Sequence, residues 1–429
     1  MKILFYNHTG QVSGAERLLL LILARLDRQR FEPTLVCPEQ GSLRQLARDQ
    51  GVPVEAAIAL NARFTWRVER LPRYLKSFLD VILQFRRTVR DVNPDLIHAN
   101  STRAGLVATA ATVGLGTRVV WHLHDLLPKH PISTLIRIFA GLSSRTSVIA
   151  VSEAVAKNFR GRCSSLLTNR VSVILNAIDL KKFEPDYGSR RTIRKELRLR
   201  EHDPLIGIVG QLTPRKGQLE LLRAFSSALP KIPHTVLLVA GAPLFNRDGE
   251  YLETLKRTAL ELGIGNSVRM LGARSDIDVI MQALDVLVVN SKAEPFGLVI
   301  LEAMACGTPV IAAAVDGIPE IIEHRTNGWL VPAQDEEALS EAIVNLSRRP
   351  ELRARLAEAG RKHVAQHFSA DRYLAELQAF YSAGVGAHLC VHPGRTRRSA
   401  PTKESSGQIA NAVVTESNGR QPEAATKFA

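Results

Sequence analysis

Two glutamates, Glu294 and Glu302, flank the start of a helix in DVLVVNSKAEPFGLVILEAMACGTPVIAA, residues 285 to 313. The run DVLVVN reads as a strand, Pro295 and Gly297 break its regularity, and the helix opening at Leu298 ends at Gly307. A helix start carries backbone N–H groups without intrahelical partners, so those near Gly297 and Leu298 can bind a diphosphate. Ionised carboxylates accept hydrogen bonds from hydroxyls. Glu294, just before the helix, can thus reach a sugar, while Glu302, one turn inside it, contacts a neighbouring polyol such as a ribose. A pair of glutamates met in isolation would instead be a helix cap or a solvent-exposed pair.

Three further groups can share that chemistry. In GQLTPRKG, residues 210 to 217, Arg215 and Lys216 follow the strand PLIGIVG, in a loop that lacks the G-K-[ST] of a Walker A motif. In TGQVSGAER, Gly14 leaves room for a substrate to approach the backbone. In WHLHDL, alternation puts His122 and His124 on one face of a strand, with Asp125 beside them, and does not choose between the histidines. Asp276-Ile277-Asp278 spells a D-x-D, which can hold a divalent cation. It opens a helix, where aspartates cap free N–H groups, so it reads as capping and no metal is expected.

The elements that would position these groups alternate. Strands KILFYN, PTLVCP, DLIHAN, RVVWHLHD and SVIAVS are separated by helices, and the pattern restarts at PLIGIVG after a polar, basic stretch, Lys181 to Asp203, that reads as an interdomain connection. TVLLVAGA, SVRMLG, DVLVVNS and TPVIAA continue it, with a helix expected at GIPEIIE. Such alternation predicts βαβ units and parallel sheets. The fold class expected is α/β, with doubly wound domains over 1–178 and 179–365, a helix over 366–382 and a disordered tail over 383–429. Ligands sit at the carboxyl ends of parallel strands, which makes the central cleft between the domains the expected site.

Composition bounds the function classes. A chain of 429 residues, 45% hydrophobic and 23% charged, suits two soluble globular domains. Cys37, Cys163, Cys306 and Cys390 form no CxxC or Cys/His cluster, which argues against structural zinc and a disulfide framework, and a reducing cytoplasm fits best. The apolar start of MKILFYNHTG is too short for a signal-peptide core. A net charge of +14 implies an anionic partner. Residues 61 to 91 concentrate it in Arg63, Arg67, Arg70, Arg73, Lys76, Arg86, Arg87 and Arg90, interleaved with Phe64, Trp66, Tyr74, Phe78 and Phe85. That pattern suits a basic amphipathic surface on an anionic membrane, or a solvated helix with its aromatics in the core.

The stretch EPFGLVILEAMACGTPVI resembles the E-x7-E signature of glycosyltransferase family 4 (group 1), retaining enzymes of the two-domain, Rossmann-like GT-B fold. The resemblance implies that Glu294 lies near the transferred sugar, Glu302 holds the ribose, and the Gly297–Leu298 backbone faces the phosphates. GQLTPRKG is similar to the family's G-R-L-x-x-x-K-G loop, implying a diphosphate role for Lys216; Gln211 stands where the family often has arginine, and Arg215 is the candidate to compensate. TGQVSGAER resembles the acceptor-side glycine-rich loop, and His124-Asp125 the His-Asp whose histidine lies near the sugar. AVSEAVAKNF, ILNAIDLKKF, GIPEIIE and NGWLVP extend the resemblance over roughly residues 1 to 380, and FSADRYLAELQAFY is implied to return to the first domain.

The implied reaction moves a sugar, with retention, from a nucleotide-diphosphate sugar to an acceptor that is lipid-linked or part of a cell-envelope glycan, without cofactor or metal. A covalent route would need a carboxylate nucleophile at the anomeric carbon, and the sequence locates none. Same-face displacement is expected instead, with the departing diphosphate taking the acceptor proton while Lys216, Arg215 and the helix start stabilise its charge. Two other readings are a non-hydrolysing nucleotide-sugar epimerase of the same fold and a nucleic-acid-binding protein. The second explains the charge but not paired acids beside a phosphate-binding helix start, so no nucleic acid is expected as a partner. Because the tail lacks core-forming residues, cutting after Ala383 should leave thermal stability and turnover unchanged. A large drop in melting temperature would refute this.

Overall fold

The computed structural model of the chain describes residues 1–60, 71–167, 169–200, 202–243 and 249–383. Arg63, Phe64, Trp66, Arg67 and Arg70 of the basic segment, and the tail from 384 onward, lie outside the described residues.

The apolar runs build two parallel sheets. The first holds β1 (Lys2–Tyr6), β2 (Glu32–Pro38), β3 (Val54–Ala57), β4 (Leu96–Ala99), β5 (Arg118–Leu123), β6 (Thr146–Ala150) and β7 (Val171–Val173), in the order β3-β2-β1-β4-β5-β6-β7. The second holds β8 (Leu205–Val209), β9 (Val236–Ala240), β10 (Val268–Gly272), β11 (Val286–Val289), β12 (Val310–Ala313) and β13 (Trp329–Val331), in the order β10-β9-β8-β11-β12-β13. Runs such as VLLVA and VLVV are buried throughout because helices cover both faces of a parallel sheet. This is the doubly wound architecture expected. In each sheet the strand order reverses beside the first strand, between β1 and β4 and between β8 and β11, which opens a crevice at their carboxyl ends.

One apolar cluster continues from the first sheet through the interface into the second, with the Phe296 and Phe368 rings edge to face at 6.0 Å. Polar clamps accompany it. Ser152 Oγ donates to the Pro295 carbonyl (2.6 Å), and the Glu320 carboxylate accepts from the backbone N–H groups of Glu153 and Ala154 (2.8 Å each). A carboxylate from one domain thus caps the helix Glu153–Arg160 of the other.

The structure corrects two local expectations and adds detail to a third. GIPEIIE forms only a 3₁₀ turn, Ile318–Glu320, because Gly317 is pressed against the Pro295 carbonyl and Glu320 is drawn across the interface. The stretch Lys181 to Asp203 joins the last strand of the first sheet to the first strand of the second. Its helix Tyr187–Glu196 folds onto the second domain, where Arg190 and Arg194 clamp Asp285 at 2.8 and 3.3 Å. Asp276 stands at the N-cap of the helix Ile277–Ala283, yet its side chain makes no capping hydrogen bond. Arg274 takes that carboxylate at 2.7 Å and also holds Glu196, because a guanidinium fork outcompetes a neutral N–H.

The helix Ala370–Ala383 lies against the first sheet and buries Tyr373, Leu374, Leu377, Phe380 and Tyr381 with Ile3, Phe5 and Leu19. Arg118 donates to the Tyr381 carbonyl (2.9 Å), and Arg25 pairs with both Asp179 and Asp371. Full burial of each large apolar side chain is worth about 1.5–3 kcal/mol. Cutting before Ala370 should therefore abolish soluble, cooperatively melting protein; a melting temperature within about 3 °C of the full chain would show the helix to be dispensable.

Candidate active site

The crevices of the two sheets face each other, and the loops that leave the strand ends carry the candidate residues. Lys216 follows β8 and Glu294 follows β11; Lys216 Nζ lies 2.5 Å from Glu294 Oε2, and Ser291 Oγ donates to the same oxygen at 3.0 Å. The loops are locked at their roots. Gly217 has φ +70° and packs so closely that a Cβ would meet the Asn290 carbonyl at 2.0 Å, while Asn290 Nδ2 donates to the Gly217 carbonyl (3.1 Å). Asp316 accepts from the Glu294 N–H (2.8 Å), so backbone and side chain of Glu294 are both held.

The helix Leu298–Ala305 begins shortly after Pro295, with Gly297 at the N-cap, φ +103°, and no side chain capping it. Its start therefore offers backbone N–H groups to an anion. A Cβ on Gly14 would lie 3.4 Å from Leu298 Cδ1, so the glycine loop after β1 meets this helix start across the cleft. Arg215 donates to the Ala293 carbonyl (2.8 Å), and its exposed guanidinium stands beside Lys216.

Glu302 is 9% exposed, and its ion pair with Arg17 of the first domain is long at 3.8 Å. Burial raises its carboxyl above the usual range, opposed by Arg17 and Lys182. It keeps acceptor capacity for a hydroxyl. On the facing wall His124 Nε2 lies 2.9 Å from Asn100 Oδ1, and burial lowers the imidazole to about 3, which keeps it neutral. Asp125 is exposed on the cleft wall, and desolvation there raises its carboxyl against the opposing charges of Arg215 and Arg103.

The structure thus gathers Lys216, Glu294, Arg215, Gly297 and Leu298 from one domain and Gly14, His124 and Asp125 from the other around one cleft, with Glu302 at its floor. It separates the two histidines that alternation left together: His122 is sealed, bonded to His98 at 3.2 Å, while His124 reaches the cleft. Sequence reasoning passed over Asn7, Asn100, Ser291 and Asp316. Asn7 and Asn100 had a usable signal, since each is the polar residue ending an apolar strand beside the switch point, in FYN and IHAN. Among the described residues no group of three or more His, Cys, Asp or Glu is placed to hold a metal ion.

Comparison with known proteins agrees with this geometry. Residues 12–182 match the family model described as Glycosyltransferase Family 4, and residues 189–363 match that of Glycosyl transferases group 1. The D-inositol 3-phosphate glycosyltransferase of Saccharomonospora viridis is 32% identical over 345 residues, covering 74% of this chain and 76% of that protein. The enzyme of the same name from Corynebacterium glutamicum is 27% identical over 403 residues, 88% of this chain and 93% of that one. Anabaena HepE, solved in complex with UDP, superposes with a TM-score of 0.76 at 28% identity, over 89% of this chain and 100% of its own. The chain belongs to the group 1, family 4 glycosyltransferases and is a glycosyltransferase of the GT-B fold.

Proposed function

We propose that the protein transfers a sugar, with retention, from a UDP-sugar to an acceptor hydroxyl. The observation that carries this is the Lys216–Glu294 pair beside the uncapped start of Leu298–Ala305. UDP is the proposed donor nucleotide because HepE has been solved with UDP and with UDP-glucose. The diphosphate lies on the helix start, Glu302 holds the ribose, and Glu294 and His124 orient the sugar. As the bond to phosphate breaks, charge grows on the leaving oxygen, where Lys216, Arg215 and the helix N–H groups stabilise it without a metal. That oxygen takes the acceptor proton on the face it leaves, and closure between the domains excludes water.

The three charged residues then fail differently when changed. Lys216→Ala should lower turnover at least about 100-fold, because its charge matters most as the diphosphate departs. Glu302→Ala should mainly weaken UDP binding, since the ribose is held alike before and during reaction. Glu294→Gln should depress transfer and leave UDP affinity nearly unchanged. Calorimetry with UDP, initial rates, melting curves for each variant and the anomeric coupling constant of the product together test this. Wild-type rates and UDP affinity in both glutamate variants, or an inverted product, would overturn it.

The acceptor is proposed to be lipid-linked and met at an anionic membrane. Among the described residues no helix is long and apolar enough to cross one. The helix Leu71–Val92, however, exposes Leu75, Leu79 and Leu83 along one line, flanked by exposed Arg73, Lys76 and Arg87. On the same side of the sheet, separated by the helix Thr102–Ala111, the helix Pro131–Leu142 exposes Ile132, Leu135, Ile138 and Leu142. Leucines seated at the acyl boundary and arginines at the head groups would place the acceptor-side domain on the bilayer. In vesicle sedimentation, binding should require anionic lipid and fall with Leu79→Glu/Leu83→Glu. Equal binding to neutral and anionic vesicles, or turnover of soluble inositol phosphate that ignores vesicles, would favour a free polyol phosphate, the acceptor class named for the relatives.

A further inference from the structure

Behind His124 runs a chain of buried amides. His124 Nε2 faces Asn100 Oδ1 (2.9 Å), Asn100 Nδ2 donates to Asn7 Oδ1 (3.0 Å), and Asn7 Nδ2 donates to Glu16 Oε1 (3.2 Å) and to the Thr9 carbonyl (2.6 Å). Asn7, Asn100 and Glu16 are 0, 1 and 4% exposed, so water does not substitute for these partners. Glu16 Oε2 in turn accepts from the N–H and the hydroxyl of Ser13, the residue before Gly14.

The direction of every bond in this chain follows from one end. The Thr9 carbonyl can only accept, and Glu16 accepts from a backbone N–H, so Asn7 must turn its NH₂ toward them. Asn7 Oδ1 then points at Asn100 and must accept, which turns the Asn100 NH₂ toward it and leaves Asn100 Oδ1 for His124. An amide oxygen needs a donor, so His124 Nε2 carries the proton. Its Nδ1, which has no partner among the described residues and is not sealed from solvent, is left with the lone pair.

We infer that Glu16, Asn7 and Asn100 are positioning residues that lock His124 in the Nε2–H tautomer, so that it offers the donor sugar a hydrogen-bond acceptor. This rests on the reading of His124 as a sugar contact. It limits the donor: the sugar must turn a hydroxyl toward Nδ1. A carboxylate or a fluorine there would face a lone pair and leave it unpaired, which a site built for a hydroxyl rejects. His124 is no proton donor in this state. Burial keeps it neutral, and the groups that face it are the His122 ring, 4.1 Å away, with His98 behind it, both lowered by burial, and Tyr381 of the returning helix, which bonds His98 at 2.7 Å. Asp125 adjoins it, with Arg215, Arg103 and Glu294 acting on that carboxyl.

The test reads the tautomer directly, in the full chain labelled with ¹⁵N-histidine. His124, assigned by its loss in His124→Gln, should show the Nε2–H pattern, unchanged from pH 5.5 to 8.5. Asn100→Asp puts a carboxylate on Nε2 and should draw a second proton onto the ring. The variant's kcat/KM should then fall as pH drops through the new, higher pKa, whereas wild type stays flat in this limb. Asn7→Leu, which leaves the His124 contact intact, should mix the tautomers and lower kcat/KM about tenfold, the scale of one hydrogen bond, with UDP affinity kept. An Nδ1–H or doubly protonated His124 in the wild type, or an Asn100→Asp pH profile identical to wild type, overturns the inference. The spectrum of the free protein decides the tautomer even if no UDP-sugar is turned over.

Discussion

A lysine and a glutamate held 2.5 Å apart at the meeting of two loops set the conditions for the rest of the cleft. Their side chains are only 18% and 9% exposed, and removing one partner of such a pair leaves a buried charge, at a cost of about 3–5 kcal/mol. The surroundings hold both in place. Gly217 and Asn290 bind the loop roots together, Ser291 and Asp316 fix Glu294, and Lys292 is itself tied to Glu220 at 2.7 Å. This ring keeps a positive charge and a carboxylate at a set distance from the helix start, an arrangement that suits the diphosphate and sugar proposed to bind there.

That arrangement needs the opposite wall at the right distance, and the interface provides it by joining rigid ends. Ser152 grips Pro295, one residue after Glu294, and Glu320 caps a helix across the boundary. The chain's last described helix crosses back to close the first domain, and just before it the Ile178 N–H donates to the Phe368 carbonyl (3.1 Å). Contacts of this kind are directional, which suits the closure between the domains proposed for the reaction. The apolar cluster running through the interface supplies the bulk of the attraction without direction.

The two walls differ electrically. The second domain brings the cations Lys216 and Arg215 beside the helix start where the phosphates are proposed to lie. The facing side sets neutral imidazoles beside the Asp125 carboxylate: burial pushes His124 to about 3 and His8, bonded to Ser101 at 2.9 Å, to about 4. Neutral imidazoles suit hydroxyls, which need hydrogen bonds with a defined direction rather than charge. The protein's excess of positive charge lies partly elsewhere, on the helix with the exposed leucines.

Much of this was legible in the sequence. Alternation of strand and helix depends on local periodicity, so the two doubly wound domains could be read from it; so could the glutamates about the helix start, because strand, loop and helix are consecutive there. The paired partners could not be read. Lys216 and Glu294 are 78 residues apart, and no local rule says that one will neutralise the other. Asp276 looked like a cap, but its near neighbour Arg274 took its carboxylate, and Arg274 is held in turn by Glu196, 78 residues away. GIPEIIE has helical spacing, yet Glu320 serves a helix of the other domain. His122 and His124 are equivalent on a strand; what distinguishes them is their partners, since the fully buried His122 is bonded to His98, which Tyr381 from the far end of the chain holds in turn, while His124 meets Asn100. Residue type and near-neighbour spacing determined the elements and the chemistry on offer. Burial and partner choice, which depend on what other parts of the chain bring within a few ångströms, were decided by the tertiary structure alone.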